Sequence, residues 1–405
     1  MNKFQQRYSE LKKLKEDREK GIYSGIPLWE SFPRLGNIIP TINKGQVIIN
    51  AAASGVGKSM VSRYKDIVAA WNFVRKNPDC GIKLQFVVFL LEDDENRFID
   101  YLTTTLIGLV HNVHVSPTYL QSKKEIISEE ILDLVASVEK YVEEILSLCH
   151  IETNVFNSYG IYKTCRQLSE DWGEHYYTYS EEEGKEFINK VQHSQLKELS
   201  SFDKKKDKKE LASEGVNLKE YQNYWKYAHY KPKDPQQHTI VVIDNINCLH
   251  PDKYELTLKN AIDTLSYNYM RMGVAKQWGW TVIMVQQNVG GAEEQEFDFK
   301  GNNVIQKLTP SLDKLADSKA SQRAAHLVYG LFAPHRYGIS SYLNYNIKEL
   351  GNNCRFLFVL KNNDGEADVI IPLWFYGQSG VFKELPMPNE ITQSYLKEMR
   401  KGIIK

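Results

Sequence analysis

Two rhythms alternate along the chain. Short continuous apolar runs at 46–51, 85–91, 239–243, 280–285 and 356–361 predict strands buried on both faces. Longer stretches with apolar residues three or four apart predict helices at about 58–74, 95–111, 127–148, 158–172, 255–277 and 313–326. Strand and helix in alternation predict an α/β fold: a mostly parallel central sheet with helices on both faces. Ahead of it, Phe4, Tyr8, Leu11 and Leu14 form one helical stripe in a charged segment. A short helix with a single stripe needs a surface to dock on. Ser24-Gly25-Ile26-Pro27 ends that segment.

The spacing between the second and third strands is too long for one crossover. Its middle, 173–237, is polar and carries Asp203-Lys204-Lys205-Lys206-Asp207-Lys208-Lys209-Glu210. We read it as an inserted excursion whose lysine run is solvated. It ends with Tyr221, Tyr224, Trp225, Tyr227 and Tyr230 among Lys219, Lys226, Lys231 and Lys233. Such residues pack an insertion on its host, or stack on bases; packing is the expectation. The organisation predicted is a helix at 1–22, a core in two parts (23–172 and 238–390) around the insertion, and a tail at 391–405.

Composition narrows the function. Lys+Arg and Asp+Glu both number 51, which argues against a globally basic nucleic-acid coat and leaves local basic strips open. No apolar run nears the roughly 20 residues of a membrane helix, and the first residues lack a signal-peptide core. The five cysteines are scattered without a CxxC pair, which fits small buried hydrophobes in a reducing cytoplasm.

The chemistry begins after the first core strand. Gln46 to Ala51 feeds Ala52-Ala53-Ser54-Gly55-Val56-Gly57-Lys58-Ser59, and a helix follows at once. Strand, small-residue loop, Gly-Lys-Ser and helix is the context of a phosphate loop. Ser54, Gly55, Val56 and Gly57 would wrap backbone N–H groups around ATP phosphates, with the helix dipole behind them. Lys58 would reach the terminal phosphates, and the Ser59 hydroxyl would ligate Mg²⁺. Ala52 stands where the motif has its first glycine. Thr239-Ile240-Val241-Val242-Ile243 ends in Asp244, a lone carboxylate at the ligand-binding edge of such a sheet and the expected second metal ligand. Asn245 follows, so a water-activating base must come from elsewhere. Glu92, closing the run 86–91, is the candidate; its other reading is a helix cap in the acidic loop Glu92-Asp93-Asp94-Glu95. Gln286-Gln287-Asn288 ends the fourth strand, where an amide could contact both a phosphate and a distant loop.

In this order, these pieces resemble the RecA-like motor domain of DnaB-type hexameric replicative helicases. Ser24 to Pro27 looks like that family's entry segment, and Ile49 to Ser59 is similar to its phosphate loop. Leu91-Glu92-Asp93 falls where the family carries its catalytic glutamate, Ile243-Asp244-Asn245 matches its metal-binding strand end, and Gln287 its sensor glutamine. Leu315 to Ala320 looks like its DNA-contacting loop, with Asp317 and Lys319 as the candidate contacts. Phe358 to Gly365 resembles the strand and hairpin that place Lys361 at a neighbour's ATP. The resemblance covers about 22–110 and 238–385 and has no counterpart of the family's amino-terminal helical domain. It implies a RecA-like P-loop core, ATP and Mg²⁺, single-stranded DNA, a homo-oligomeric ring of probable hexamer type, and replication partners at 173–237.

Two departures accompany it. Asn363 stands where the family has an arginine finger, which leaves Lys361, Arg355 or Arg336 to supply the cation, or leaves hydrolysis slow. Ala316 replaces an arginine of the DNA loop. A non-motor RecA-like ATPase, and a nucleotide-binding structural protein that recruits a partner through its insertion, therefore stay open beside the helicase.

Overall fold

The computed structural model describes residues 2–123, 125–179, 199–200, 225–288, 305–315 and 319–404. Nine strands form one sheet: β1 Val47–Ala52, β2 Lys83–Leu90, β3 Cys149–Glu152, β4 Gln237–Asp244, β5 Thr281–Gln287, β6 Leu327–Phe332, β7 Cys354–Asn362, β8 Val369–Tyr376 and β9 Val381–Glu384. Their spatial order is β9-β8-β7-β6-β1-β5-β4-β2-β3. The six from β6 to β3 run parallel, and β7, β8 and β9 continue the sheet antiparallel. The expected mostly parallel sheet is therefore present, and it extends further than the apolar runs indicated.

The parallel strands are apolar throughout because helices cover both faces. All six residues of β1 are buried. One face packs on α2 (58–76), α3 (Glu95–His111) and α4 (Glu129–Ser147), through residues such as Val61, Leu102 and Val138. The other packs on α5 (Ser158–Trp172) and α6 (258–278), through Ile161, Cys165, Leu265 and Val274. Asp94, not Glu92, caps α3: its side chain accepts from the Arg97 N–H at 2.8 Å.

Helix α2 is a continuous helix widened to π geometry over Arg63–Val68. A buried polar cluster fixes it to the sheet. Asp66 accepts from Asn50 of β1 at 2.7 Å and from Ser62 at 3.1 Å, and pairs with Lys65, whose ammonium lies over the Tyr329 ring of β6. Removing one member would strand the others without water, so the cluster specifies where α2 starts.

Three expectations change. The stretch 313–326 is not one helix: a short turn at Leu312–Lys314 and α7, Lys319–Ala324, are its described parts. Strands β3, β6, β8 and β9 join those predicted. At the root of the insertion, Gly173–Tyr179 and Trp225–Pro232 pair antiparallel. There Tyr230 packs against Trp280, and Tyr227 donates to the Gln277 carbonyl, as packing on the host requires. Tyr221, Tyr224 and the lysine run lie outside the described residues. Helix α0 (Lys3–Glu19) opens on an Asn2–Gln5 capping box and buries no residue. Its stripe stands exposed, Phe4 at 76%.

Candidate functional site

The site grows from the C-terminal end of β1. Beyond Ala52, Gly55 and Gly57 take φ of +73° and +109°, which only glycine adopts without strain. A Cβ on Gly57 would also sit 3.3 Å from the Phe375 ring. Gly57 turns the chain into α2, so Lys58 and Ser59 occupy the first turn of a long helix and gain its positive end. Two arginines hold the loop by its carbonyls: Arg336 donates to Ser54, and Arg355 Nε donates to Val56 at 2.9 Å. Arg355 is buried over Phe375 and also donates to the Asn352 carbonyl at 2.6 Å. Burial lowers its pKa to about 10, which leaves it charged at neutral pH. Both candidate substitutes for an arginine finger are thus engaged with their own subunit's loop.

Strand order brings the acids to the loop. β5 and β4 follow β1 in the sheet, and β2 lies beside β4, so Asp244 and Glu92 end neighbouring strands at the same edge. Ser59 Oγ donates to Asp244 Oδ1 at 2.9 Å. Burial raises the Asp244 pKa, and the nearby Arg63, then the Ser59 hydrogen bond, oppose that shift. Lys58 Nζ lies 3.9 Å from Glu92 Oε2, with the lysine buried and the glutamate half exposed. The Asp244–Asn245 peptide is cis. Asn245 Nδ2 donates to Glu92 Oε2 at 3.0 Å, while its Oδ1 accepts from the Asn247 N–H at 2.9 Å. Asn247 Oδ1 in turn accepts from the Gln287 N–H at 2.7 Å. Glu92 and Gln287 are therefore joined through one short turn.

Of these groups, Lys58, Ser59 and Glu92 line a cavity of about 320 Å³ that reaches Phe375. That size lies within the usual range for small-molecule sites. A hydroxyl and a buried carboxylate in contact, beside a glycine loop that opens a helix, form a hard-oxygen donor set suited to Mg²⁺.

Four predicted residues, Lys58, Ser59, Asp244 and Glu92, meet here, and Gln287 ends β5 opposite Ala52. Lys361 is elsewhere. It pairs with Val328, which pairs with Ile49, so it lies two strands across and three residues back from Ala52. That is about 14 Å along the sheet. Its ammonium donates to the Gln322 and Ala325 carbonyls at 2.8 and 2.7 Å, closing α7. Burial, then Arg271, lowers its pKa. Lys319 opens α7, and Asp317 lies outside the described residues.

Sequence reasoning missed Arg63 and Asn245. Arg63 follows Ser59 by four positions, one turn along the same helical face, a spacing that could have flagged it. Asn245 was weighed for the carboxylate it lacks, whereas its amide holds Glu92.

No family model and no curated protein sequence matches the chain. Its fold is found among solved structures. The ATPase domain of G40P matches with a TM-score of 0.58 and 16% identity, covering 93% of this chain and 98% of that one. A DnaB-like replicative helicase, described with its interactions with primase, matches at 0.57 and 16% over 93% of this chain and 66% of its own length. The chain thus carries the RecA-like P-loop ATPase fold seen in DnaB-like helicase ATPase domains.

Proposed function

We propose that this protein is an ATP-hydrolysing motor on single-stranded DNA, of the helicase or translocase kind, with each nucleotide held between two subunits of a ring. The observation that carries the nucleotide part is the meeting of Lys58, Ser59, Asp244 and Glu92 at one sheet edge. Ser59 and Asp244 would hold Mg²⁺, which when bound draws charge from the phosphate oxygens. Lys58 and the loop N–H groups orient the triphosphate. Glu92, steered by Asn245, accepts the proton of the attacking water, and Gln287 senses the terminal phosphate.

The ring reading draws on two features. Lys361 lies two strands across and three residues back from its own phosphate loop, as a residue serving a neighbour's nucleotide would. The apolar stripe of α0 is exposed among the described residues and suits a groove on an adjacent subunit. Lys319, with Asp317 near it in sequence, is the proposed DNA contact, the lysine meeting backbone phosphates. The insertion between 173 and 237 is the proposed docking region for replication partners, and the core is split around it as the sequence suggests. The compartment proposed is the cytoplasm; among the described residues no helix is long and apolar enough to cross a membrane.

The test is ATPase activity with and without single-stranded DNA, with Lys58→Ala as control, alongside mass measurement with ATP and Mg²⁺. DNA-stimulated turnover in an assembled species is expected. An assembly that neither binds DNA nor responds to it would leave the second reading, a RecA-like ATPase without motor action. Asn363 favours that alternative, being exposed and uncharged, with its N–H committed to the His326 carbonyl at 3.0 Å.

A further inference from the structure

Arg63 is a buried cation in the wall of the nucleotide cavity, and no role described above uses it. It rises from α2 one turn beyond Ser59 and reaches the turn after β2. Its Nη2 donates to Asp93 Oδ2 at 2.6 Å and lies 3.9 Å from Asp244 Oδ2. The other Asp93 oxygen lies 3.2 Å from Arg97 of α3. The guanidinium stacks over Tyr101 at 4.2 Å, with Phe98 at 5.9 Å. Asp93 is thus gripped from two helices, and it is the residue directly after Glu92.

Two facts separate this from an ordinary buried ion pair. The pair carries 7% and 13% side-chain exposure, yet Arg63 Nε and Nη1 have no hydrogen-bond partner among the described residues. A guanidinium serving stability alone is expected to close its fork, because open buried donors are costly. Glu92, by contrast, is half exposed and, among the described residues, its carboxylate accepts one hydrogen bond, from Asn245. Left to those contacts, its carboxylate could swing into solvent. Fixing Asp93 fixes the backbone one peptide bond from Glu92.

We infer that Arg63 is a positioning residue which, through Asp93, holds the Glu92 turn against Asp244 in its own subunit. The inference rests on the reading of this cavity as an ATP site. Its effect passes through Glu92, so it alters turnover and spares nucleotide affinity.

Arg63→Ala would leave Asp93 buried without its closest cation, so the informative variants are Arg63→Lys and Asp93→Asn, which keep a polar group in place. Three quantities are read for each: steady-state ATP turnover, the Kd of a fluorescent ADP with Mg²⁺, and the melting midpoint. Expected is a fall in kcat of about tenfold or more, within the range that a positioned general base contributes, with Kd within about threefold of wild type because the affinity contacts of Lys58 and Ser59 remain. In a Glu92→Gln background, adding Arg63→Lys is expected to change kcat no further, because groups acting as one unit are non-additive. Wild-type kcat in both single variants, losses that multiply with Glu92→Gln, or variants unfolded at the assay temperature would each overturn the assignment. A wild-type protein that hydrolyses nothing and binds ADP unchanged after Lys58→Ala would instead sink the site reading itself.

Discussion

Two lysines on one sheet mark its two regions. Lys58, at the parallel end, is buried with a carboxylate 3.9 Å away as its near charge and a cavity in front of it. Lys361, in the antiparallel extension, has its ammonium engaged by two carbonyls that end a helix. An ammonium whose near charge stands 3.9 Å off keeps donors for an incoming anion, whereas a capped one is satisfied as it stands. The parallel edge is therefore organised for a ligand within the subunit. The extension is organised for itself, and acts on nucleotide only if assembly offers Lys361 a better partner.

The sharpest separation of the regions is Glu92→Gln. It should lower turnover by about 10²–10⁴-fold while ADP affinity holds, since only proton acceptance is lost. Equal losses in turnover and affinity would place Glu92 in binding. Next, Lys58→Ala should weaken Mg²⁺–ADP binding by about 10–100-fold, the worth of a charge-assisted hydrogen bond, as titration of a fluorescent nucleotide would read. Lys361→Ala should leave that affinity intact and cost turnover about tenfold. Mixing it with Lys58→Ala subunits should restore activity if the two lysines serve one site from different chains. No recovery on mixing would confine Lys361 to capping α7.

The smallest effect concerns pH, through one buried histidine in a parallel strand and another packed against the antiparallel extension. His238 of β4 bonds Thr281 at 2.9 Å; burial, then Lys44, lowers its pKa to about 3. His114 stacks on Tyr376 of β8 and bonds Ser379 at 2.8 Å; burial, then Lys383, lowers its pKa to about 4. Folded pKa values below the unfolded 6.5 mean that only the unfolded chain takes up protons as pH falls from about 6.5. Stability is then full above that pH and is lost toward the folded values, by at most about 1.4 kcal/mol per pH unit for each group. Melting midpoints should fall between pH 7 and pH 5. His238→Gln should flatten the slope, and an unchanged slope would mean that the ring is already protonated in the fold.

Much of this was legible in the sequence where one physical demand dominates. Strands covered on both faces read as continuous apolar runs, so β1, β2, β4 and β5 were plain. β6 was not, because Gly330 interrupts a run that continues directly from the expected helix. That glycine is required where a Cβ would lie 2.4 Å from the Pro310 side chain. β3 has four residues, all half buried at the sheet margin, and gives no periodic signal. At the site, Lys58, Ser59 and Asp244 were legible because phosphate and metal demand particular groups at particular strand ends. Arg63 and Asn245 were not, because they touch other side chains, and such pairings follow from strand order rather than from any local motif. For Lys361, the strand was legible but not the carbonyls that engage it.

The antiparallel pair at the base of the excursion has one last consequence. Gly173 lies opposite Pro232, so the chain departs from α5 and returns to β4 at adjoining points. Closing a detour whose ends already touch costs entropy that grows only slowly with its length. Whatever occupies 180–224 can therefore be lengthened, shortened or exchanged with little penalty to the strand that carries Asp244, which makes this doorway the part of the molecule freest to diversify.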